Sequence, residues 1–250
     1  MPFDLRIDAG IAELVWNFPP VNAFKAAEWL ELAARVREIG ANPNVNCLVL
    51  AAEGRGFQCG VDVKELAADG NVIIAANRGC RESFGAIYDC PFPTIAACHG
   101  FVLGGGIGIA GSCDVVIASD DATFGMPEID RGALGAATHL RRLFPEQKAR
   151  RMFMTGEPID AREAYRVGAL EAVVPRAELR DAARALAQKF AAKSPLALRL
   201  AKESLNGIEL LDPKRSYRYE QGFTLELYSS PDSQEARDAF VGKRAAKFEG

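Results

Sequence analysis

A glycine-rich stretch near the middle of the chain, residues 100–111, most constrains the fold, because it contains three consecutive glycines at positions 104–106. Glycines at the start of a helix let another group approach the backbone closely. A helix N-terminus also presents free N–H groups and the positive end of the helix dipole. We therefore expect a helix to begin here and to offer its amides to an oxygen atom that gains negative charge. Helix–sheet packing would explain one or two of these glycines, but not three in a row.

The same stretch contains Gly106-x-Gly108-x-x-Gly111, which matches the dinucleotide-binding fingerprint. In that fold, the glycines open a helix long enough to cross back over the sheet. Here the next strand is predicted to begin near Cys113, which leaves no room for such a helix. Asp130 lies about 20 residues further on, as the fingerprint asks, but strand and turn signals intervene. A dinucleotide site is therefore not the favoured interpretation.

The order of apolar patterns predicts an α/β core followed by helices. Strands are expected at residues 3–7, 11–16, 47–51, 94–98 and 114–118, and helices at 24–39 and 72–88. After Pro127 the pattern becomes helical almost throughout, with helix starts marked by Asp160, Ser194 and Ser230. Strands before helices indicate a mixed sheet core with a helical C-terminal part.

Composition excludes several classes of function. The net charge is −3, so no basic surface suggests a nucleic-acid partner. No stretch approaches the roughly 18 apolar residues of a membrane span, and the first residues lack the features of a secretory leader, so a cytoplasmic location is expected. Six irregularly spaced cysteines and two histidines favour free thiols over disulfides or a metal site. The pairs Arg141-Arg142 and Lys243-Arg244 are interpreted as solvated helix faces.

A second turn-rich loop, residues 54–66, follows a buried strand and leads into a short helix. Cys59 in this loop is interpreted as a small packing residue rather than a nucleophile, because nothing nearby would activate its thiol. Cys98 and His99 cannot form a dyad in a strand, where neighbouring side chains face opposite sides.

Five ordered motifs in this sequence resemble the crotonase, or enoyl-CoA hydratase/isomerase, superfamily. They are residues 20–24 (PVNAF), 56–62 (GFQCGVD), the glycine-rich stretch with Cys113 and Asp114, 122–128 (ATFGMPE) and 240–244 (FVGKR). Together they span almost the whole chain. The resemblance implies a spiral of β-β-α units over residues 1–195 and a helical trimerisation region over 196–250. It also implies trimers or paired trimers.

The resemblance further implies an acyl-CoA substrate and no separate cofactor, since coenzyme A enters as part of that substrate. One oxyanion N–H would come from Val61 and the other from Gly105. Coenzyme A would lie along the loop and be reached by the tail of the same or a neighbouring subunit, so the implied contacts are Lys25, Phe57, Cys59, Gly60, Val61, Phe240 and Lys243.

The sequence departs from the hydratase pattern at one catalytic position. Hydratases hold a water between two glutamates; the second matches Glu128, but the first falls on Gly108. We therefore expect little simple hydration. The loss of the carboxylate is interpreted as leaving space for a second substrate ring. Residues 77–80, 130–139 and 220–224 resemble a narrower group, the CoA-thioester hydrolases that open ring D in bacterial steroid breakdown.

Several alternatives stay open. Within the family, a hydratase or a double-bond isomerase is possible, since isomerisation needs only one base. A non-catalytic CoA-ester-binding relative is a third reading, against which the retained Glu128 argues. Asp130 is a catalytic candidate with Arg131, either positioning a water or carbonyl or forming a surface ion pair. His139 is also a catalytic candidate, although its helical position favours a structural role.

Three further residues are weighed against core packing. His99 is expected to serve the fold through a hydrogen bond. Phe84 and Tyr88 lie on a helix that borders the acyl pocket in this family, so they are candidates for substrate contact, although aromatics at helical spacing are more often core.

Overall fold

The computed structural model describes residues 2–210 and 212–247, and its centre is a six-stranded sheet. The first two strands pair antiparallel around the Ala9-Gly10 turn and the remaining pairs are parallel. In sheet order the strands are β1 (Phe3–Asp8), β2 (Ile11–Trp16), β3 (Cys47–Ala52), β4 (Thr94–Cys98), β6 (Val115–Ser119) and β9 (Ala172–Val174). The predicted strands are confirmed to within a residue or two.

Three short strands form a second sheet beside the first. They are β5 (Phe101–Leu103), β7 (Thr123–Gly125) and β8 (Ile159–Asp160); β5 pairs parallel to β7, and β8 pairs antiparallel to β7. The glycine-rich stretch contains β5 and lies between β4 and β6, which pair parallel in the large sheet. The helix that follows β5 spans only Gly105–Ser112, which is shorter than the helix that crosses back over the sheet in a dinucleotide fold.

Eleven α-helices occur in the described ranges 2–210 and 212–247. They are α1 (Ala26–Gly40), α2 (Val63–Ala68), α3 (Val72–Tyr88), α4 (Gly105–Ser112), α5 (Ala137–Leu143), α6 (Glu146–Thr155), α7 (Ala161–Arg166), α8 (Leu179–Ala191), α9 (Pro195–Ile208), α10 (Pro213–Tyr228) and α11 (Pro231–Val241). Two 3₁₀ helices cover Pro127–Arg131 and Arg176–Glu178. Side chains of Asp160, Ser194 and Ser230 cap α7, α9 and α11, as predicted.

Both faces of β3 are buried, which explains why this strand is apolar at every position. Leu48 and Leu50 pack into the larger cluster, which includes side chains of α1, α3 and α4. Val49 and its alternate neighbours pack against α8 instead. This layering fixes the loops that follow β3 and β4 at one edge of the sheet.

The C-terminal helices differ in how they pack. Helix α10 lies against α3 and α5 and contributes Tyr217 to the main core, and α11 lies against the 3₁₀ helix at 127–131. Helix α9 buries a single residue, Lys202. The proposed boundary at 195/196 stays a prediction. No helix within 2–210 or 212–247 combines the length and apolarity needed to cross a bilayer.

Two sequence expectations need correction. The region after Pro127 is not wholly helical, because β9 returns to form the edge of the large sheet beside β6. Arg142 is not on a solvated face. Its guanidinium donates to the carbonyls of Gly111 and Cys113, at 2.6 and 2.8 Å, and pairs with Glu209. It therefore ties the end of α4 to the rest of the fold.

Candidate active site

The side chain of Gln58 fixes the loop after β3 through hydrogen bonds to both the N–H and the C=O of Gly60. Its Oε1 accepts from the Gly60 N–H at 2.7 Å, and its Nε2 donates to the Gly60 carbonyl at 2.8 Å. Gly60 has φ +90°, a conformation that side-chain-bearing residues rarely adopt. The same carbonyl also accepts from the Phe24 N–H at 3.0 Å. The orientation of the Gly60–Val61 peptide is therefore fixed.

That orientation decides where the Val61 N–H points. In a trans peptide the N–H and the C=O point in opposite directions. Because the Gly60 carbonyl is turned toward Gln58 and Phe24, the Val61 N–H is turned away from them. It donates no hydrogen bond within residues 2–210 and 212–247. Val61 lines the cavity described below, so this N–H is available to a ligand.

The second free amide lies at the start of α4. Gly104 precedes the helix with φ +55° and ψ −110°, and its carbonyl accepts the first helical bond, from Gly108. The N–H of Gly105 points out of the helix N-terminus and has no partner in the described ranges. A Cβ on Gly60 would lie 3.5 Å from the Gly105 nitrogen. The two free N–H groups therefore belong to loops that meet.

Glu128 packs directly against this pair of loops. A Cβ on Gly104 would collide with the Glu128 carboxylate, so the carboxylate occupies space that only glycine leaves open. Its Oε2 is buried and has no hydrogen-bond partner in the part of the chain described. Burial raises the pKa of Glu128 to about 7, against the opposing effects of a backbone hydrogen bond and of the Arg131 guanidinium. A carboxylate with this pKa can both take and return a proton near neutrality.

These groups open onto one cavity of about 450 Å³. One wall is formed by Cys59, Gly60 and Val61, together with Gly104 and Gly105. The opposite wall comes from residues 133–136, α10 and α11, including Tyr217 and Phe240. Glu128 is the only carboxylate that lines the cavity within 2–210 and 212–247. The enclosure is mostly apolar, which strengthens electrostatic interactions inside it.

Five of the predicted site residues lie outside this cavity, and His139 is one of them. Lys25 is exposed at the start of α1, and Lys243 is exposed beyond α11. Phe57 is fully buried against Trp16, and its N–H and C=O are already bonded to His99 and Trp16. Asp130 is exposed and lies beside Gly156 rather than beside Glu128. The structure therefore gathers Glu128, Val61, Gly105, Cys59, Gly60 and Phe240, and leaves these four and His139 apart.

The two histidines and Tyr88 have places in the packing. Burial lowers the pKa of His139 to about 3, and its ring packs against Phe84 and Tyr217, behind the cavity. His99 lies 3.2 Å from the Gly54 carbonyl, as expected for a residue that serves the fold. Tyr88 donates to the Asn206 carbonyl and to Glu209 and does not reach the cavity.

The expectation about Gly108 was partly wrong. The position carries no carboxylate, but it does not leave a void. A Cβ there would collide with the ring of Phe84, which fills the space and lines the cavity. The absent acid is thus replaced by an aromatic wall, and the site keeps a single carboxylate.

Two residues that contribute to the site, Gln58 and Tyr217, were not predicted from the sequence. Gln58 orients the Val61 peptide, but a glutamine in a turn-rich loop carries no spacing signal. Tyr217 forms part of the far wall, although it lies more than 80 residues from Glu128. Only its place among apolar residues at helical spacing on α10 could have marked it as buried.

Residues 6–250 match the model of the enoyl-CoA hydratase/isomerase family. The chain is 50% identical to a (7aS)-7a-methyl-1,5-dioxo-2,3,5,6,7,7a-hexahydro-1H-indene-carboxyl-CoA hydrolase of Rhodococcus jostii, over 93% of this chain and 91% of that protein. It is 48% identical to a hydrolase of the same name from Mycobacterium tuberculosis, over 94% and 96% of the two chains.

A solved structure agrees on the fold. An enoyl-CoA hydratase/isomerase from Pseudoalteromonas atlantica superposes with a TM-score of 0.89 at 24% identity, covering 99% of this chain and 100% of that one. At this identity the likeness shows the architecture alone. The similarity to a group of CoA-thioester hydrolases that the motifs indicated is confirmed by the two relatives at 48–50% identity, both of which carry a hydrolase name.

Proposed function

Because the chain belongs to the enoyl-CoA hydratase/isomerase family, we propose that it hydrolyses a carbon–carbon bond in a bicyclic keto-acyl-CoA, the class of compound that the hydrolase names of its two relatives contain. One observation carries this choice. The cavity pairs two free backbone N–H groups with a single carboxylate, Glu128, and puts the ring of Phe84 where a second acid would reach. The site is thus equipped for one proton-transfer group and for a bulky apolar acyl group.

The thioester oxygen is assigned to the two free amides. The N–H groups of Val61 and Gly105 belong to loops that meet and are free of internal partners in the described chain. Both would donate to the oxygen as it becomes an enolate oxygen, and the dipole of α4 would support the same charge. Removing one such donor from an enzyme typically costs about 3–4 kcal/mol of transition-state stabilisation.

The coenzyme A portion would leave the cavity along the loop that holds Cys59 and Gly60. Lys64 lies on α2 beside this loop, is exposed, and also lines the cavity. Phe240 contributes from the tail of the same chain. Coenzyme A is part of the substrate, and the proposed chemistry uses no other cofactor.

The reaction needs a base for water and a sink for electrons. Glu128 would remove a proton from water as the oxygen bonds to the five-ring ketone carbon. The bond from that carbon to the ring-fusion carbon then breaks. The electron pair passes through the adjacent double bond to the thioester oxygen, which the Val61 and Gly105 amides receive. Glu128 returns the proton to the dienolate, so that one water is consumed and a keto acid is formed.

A double-bond isomerase is the second candidate, and the single carboxylate favours it over a hydratase. Moving a double bond needs one base that takes and returns a proton, and Glu128 has a pKa of about 7. Hydration in this family uses two carboxylates, and position 108 cannot supply one.

The test combines one variant with labelled water. Glu128→Gln should lower the turnover of the bicyclic keto-acyl-CoA by at least about 10²-fold with little change in binding, while Glu157→Gln, an exposed control, should not. In H₂¹⁸O the product should carry one label in a new carboxylate, read by mass spectrometry and NMR. A label found in an alcohol would identify a hydratase and overturn the proposal.

A further inference from the structure

The proposed ring opening creates negative charge at two places. One is the thioester oxygen, which the amides of Val61 and Gly105 can stabilise. The other is the ketone oxygen, which becomes an alkoxide when water adds and ends as part of a carboxylate. The second charge develops a few bonds away from the first, so the same two N–H groups cannot serve both. The inference below rests on the proposed function.

Among the residues that the structure describes, three cationic side chains line the cavity, and two of them are unsuited to this charge. Lys64 is exposed at the edge. The guanidinium of Arg237 is already occupied, since it donates to the Tyr228 carbonyl, to Ser233 and to Gln234. Arg131 is half-buried and makes no ion pair or hydrogen bond through its guanidinium within residues 2–210 and 212–247. It is therefore a cation with donors to spare.

The position of Arg131 is defined despite the missing ion pair. Its guanidinium carbon lies 4.7 Å from the centre of the Phe240 ring, a cation–π contact that holds the group over α11. Arg131 ends the 3₁₀ helix that begins at Pro127, and Gly132 follows in a left-handed conformation. The carbonyl of Gly132 accepts from Ser233. The arginine is thus fastened to the tail of the chain on two sides.

Arg131 also faces the same space as the base. Glu128 precedes it by three residues on the same 3₁₀ helix, and both line the cavity. Its charge reaches the Glu128 carboxyl and the Cys59 thiol, whose pKa values it lowers in opposition to the larger effect of burial. When a water held by Glu128 attacks the ketone carbon, the ketone oxygen would consequently develop its charge near this guanidinium.

We propose that Arg131 is a further catalytic residue, which binds the ketone oxygen of the substrate and then the carboxylate of the product. As the water oxygen bonds to the ketone carbon, the carbonyl electron pair moves onto the ketone oxygen and is stabilised by the guanidinium. When the C=O re-forms, the carbon–carbon bond breaks and its electron pair moves to the thioester oxygen. The acid formed loses its proton to solvent and stays paired with Arg131 until release.

The experiment compares Arg131→Met and Arg131→Lys with the wild-type enzyme in three measurements. These are turnover of the bicyclic keto-acyl-CoA, affinity for the ring-opened product, and affinity for cyclohex-1-ene-1-carboxyl-CoA, which has the thioester but neither ketone nor carboxylate. Arg131→Met should lower turnover by about 10²–10³-fold, the range for one lost oxyanion donor. It should weaken product binding at least about 10-fold and leave the cyclohexenyl ester within about 2-fold. Arg131→Lys should recover part of the turnover.

Three other outcomes would contradict either the role of Arg131 or the proposed function. If Arg131→Met weakens both ligands equally, Arg131 only shapes the cavity and the assignment is wrong. If turnover is unchanged in Arg131→Met, the assignment is also wrong, while the proposed function stands. If the wild-type enzyme itself forms no carboxylate from the bicyclic substrate, the proposed function fails and the assignment with it.

Discussion

The ring of Phe84 occupies the volume into which a side chain at position 108 would extend from α4. Phe84 belongs to α3 and is 2% exposed, so its ring has little freedom to move aside. The two positions are therefore complementary, because the side chain of Phe84 on α3 fills the space that Gly108 on α4 leaves open. A side chain at position 108, where hydratases carry their first acid, would therefore have to displace the Phe84 ring.

Substitutions at the pair should show this dependence. Gly108→Ala should lower the free energy of unfolding by about 1–3 kcal/mol, because overpacking forces neighbours to shift. Adding Phe84→Leu should restore part of that loss. Wild-type activity on crotonyl-CoA should be very low, and Gly108→Glu combined with Phe84→Ala should raise it, whereas Gly108→Glu alone should not. Denaturant titration and a hydration assay measure both effects. Equal destabilisation of Gly108→Ala with and without Phe84→Leu would contradict the pairing.

The raised pKa of Glu128 predicts how activity depends on pH. The carboxylate is the base, so kcat should rise with pH and level off above about 7. Other titratable groups near Glu128 should not ionise in this range, because burial raises the pKa of Cys59, Cys80 and Tyr217. A rate profile from pH 5 to 9 checks the inflection. Burial also raises the pKa of Glu220 to about 7. If the inflection persists in Glu220→Gln, it does not arise from Glu220.

The same shift should be visible in stability. The folded-state pKa of Glu128 lies above its ordinary value of 4.5, so the unfolded state binds fewer protons between these values. Its contribution to stability is therefore fully present below pH 4.5 and is lost as pH rises through about 7. Glu128→Gln should accordingly raise the free energy of unfolding at pH 8 by about 1–3 kcal/mol. A destabilised variant at that pH would contradict this sign.

Glu220 should hold the far wall of the cavity in place. From α10 its carboxylate accepts from the N–H groups of Ala137 and Thr138, at 3.1 and 2.7 Å, and from the Thr138 hydroxyl at 2.8 Å. Helix α5 has no capping side chain of its own. Glu220→Ala should cost about 2–4 kcal/mol, because these buried donors lose their acceptor, and should raise KM. Glu226→Ala, exposed on the same helix, is the matched control; equal losses in both variants would refute the role.

We expect a trimer or hexamer, with α9 as an important part of the contact. Leu196, Leu200, Leu205 and Ile208 on α9 are each more than half exposed, whereas α10 and α11 each bury one face against their own chain. Light scattering should give three or six times the chain mass of 27.0 kDa. Leu200→Glu should shift the protein toward smaller species, and Met154→Glu, exposed on α6, should not. A 27 kDa species alone at micromolar concentration would rule out assembly.

The sequence predicted those features that depend on neighbouring residues. Strand β3 could be located because a strand buried on both faces must be apolar at every position, and α4 because consecutive glycines at a helix start have few other uses. The two oxyanion loops and Glu128 were identified through a resemblance, and the structure brings these residues to one cavity. The loops follow strands that are neighbours in the sheet, which explains why they meet.

Features that depend on distant contacts could not be predicted in this way. Nothing in the local pattern around Arg142 indicates that its guanidinium donates to two carbonyls at the end of α4. Nor does the sequence near Gly108 reveal that a side chain 24 residues earlier fills its space. Asp130 was chosen for its place next to a catalytic motif, but the tight turns of a 3₁₀ helix direct adjacent side chains to different sides.

The far wall of the cavity has a consequence for how the site comes into being. The two loops with free amides and Glu128 precede α10 in the chain, whereas Tyr217 and Phe240 of the far wall belong to α10 and α11. A nascent or truncated chain that stops before α10 would contain the sheet, both amide loops and the base, yet would leave them open to bulk water. The cavity is therefore closed only after α10 and α11 have docked, and catalytic activity reports on that docking.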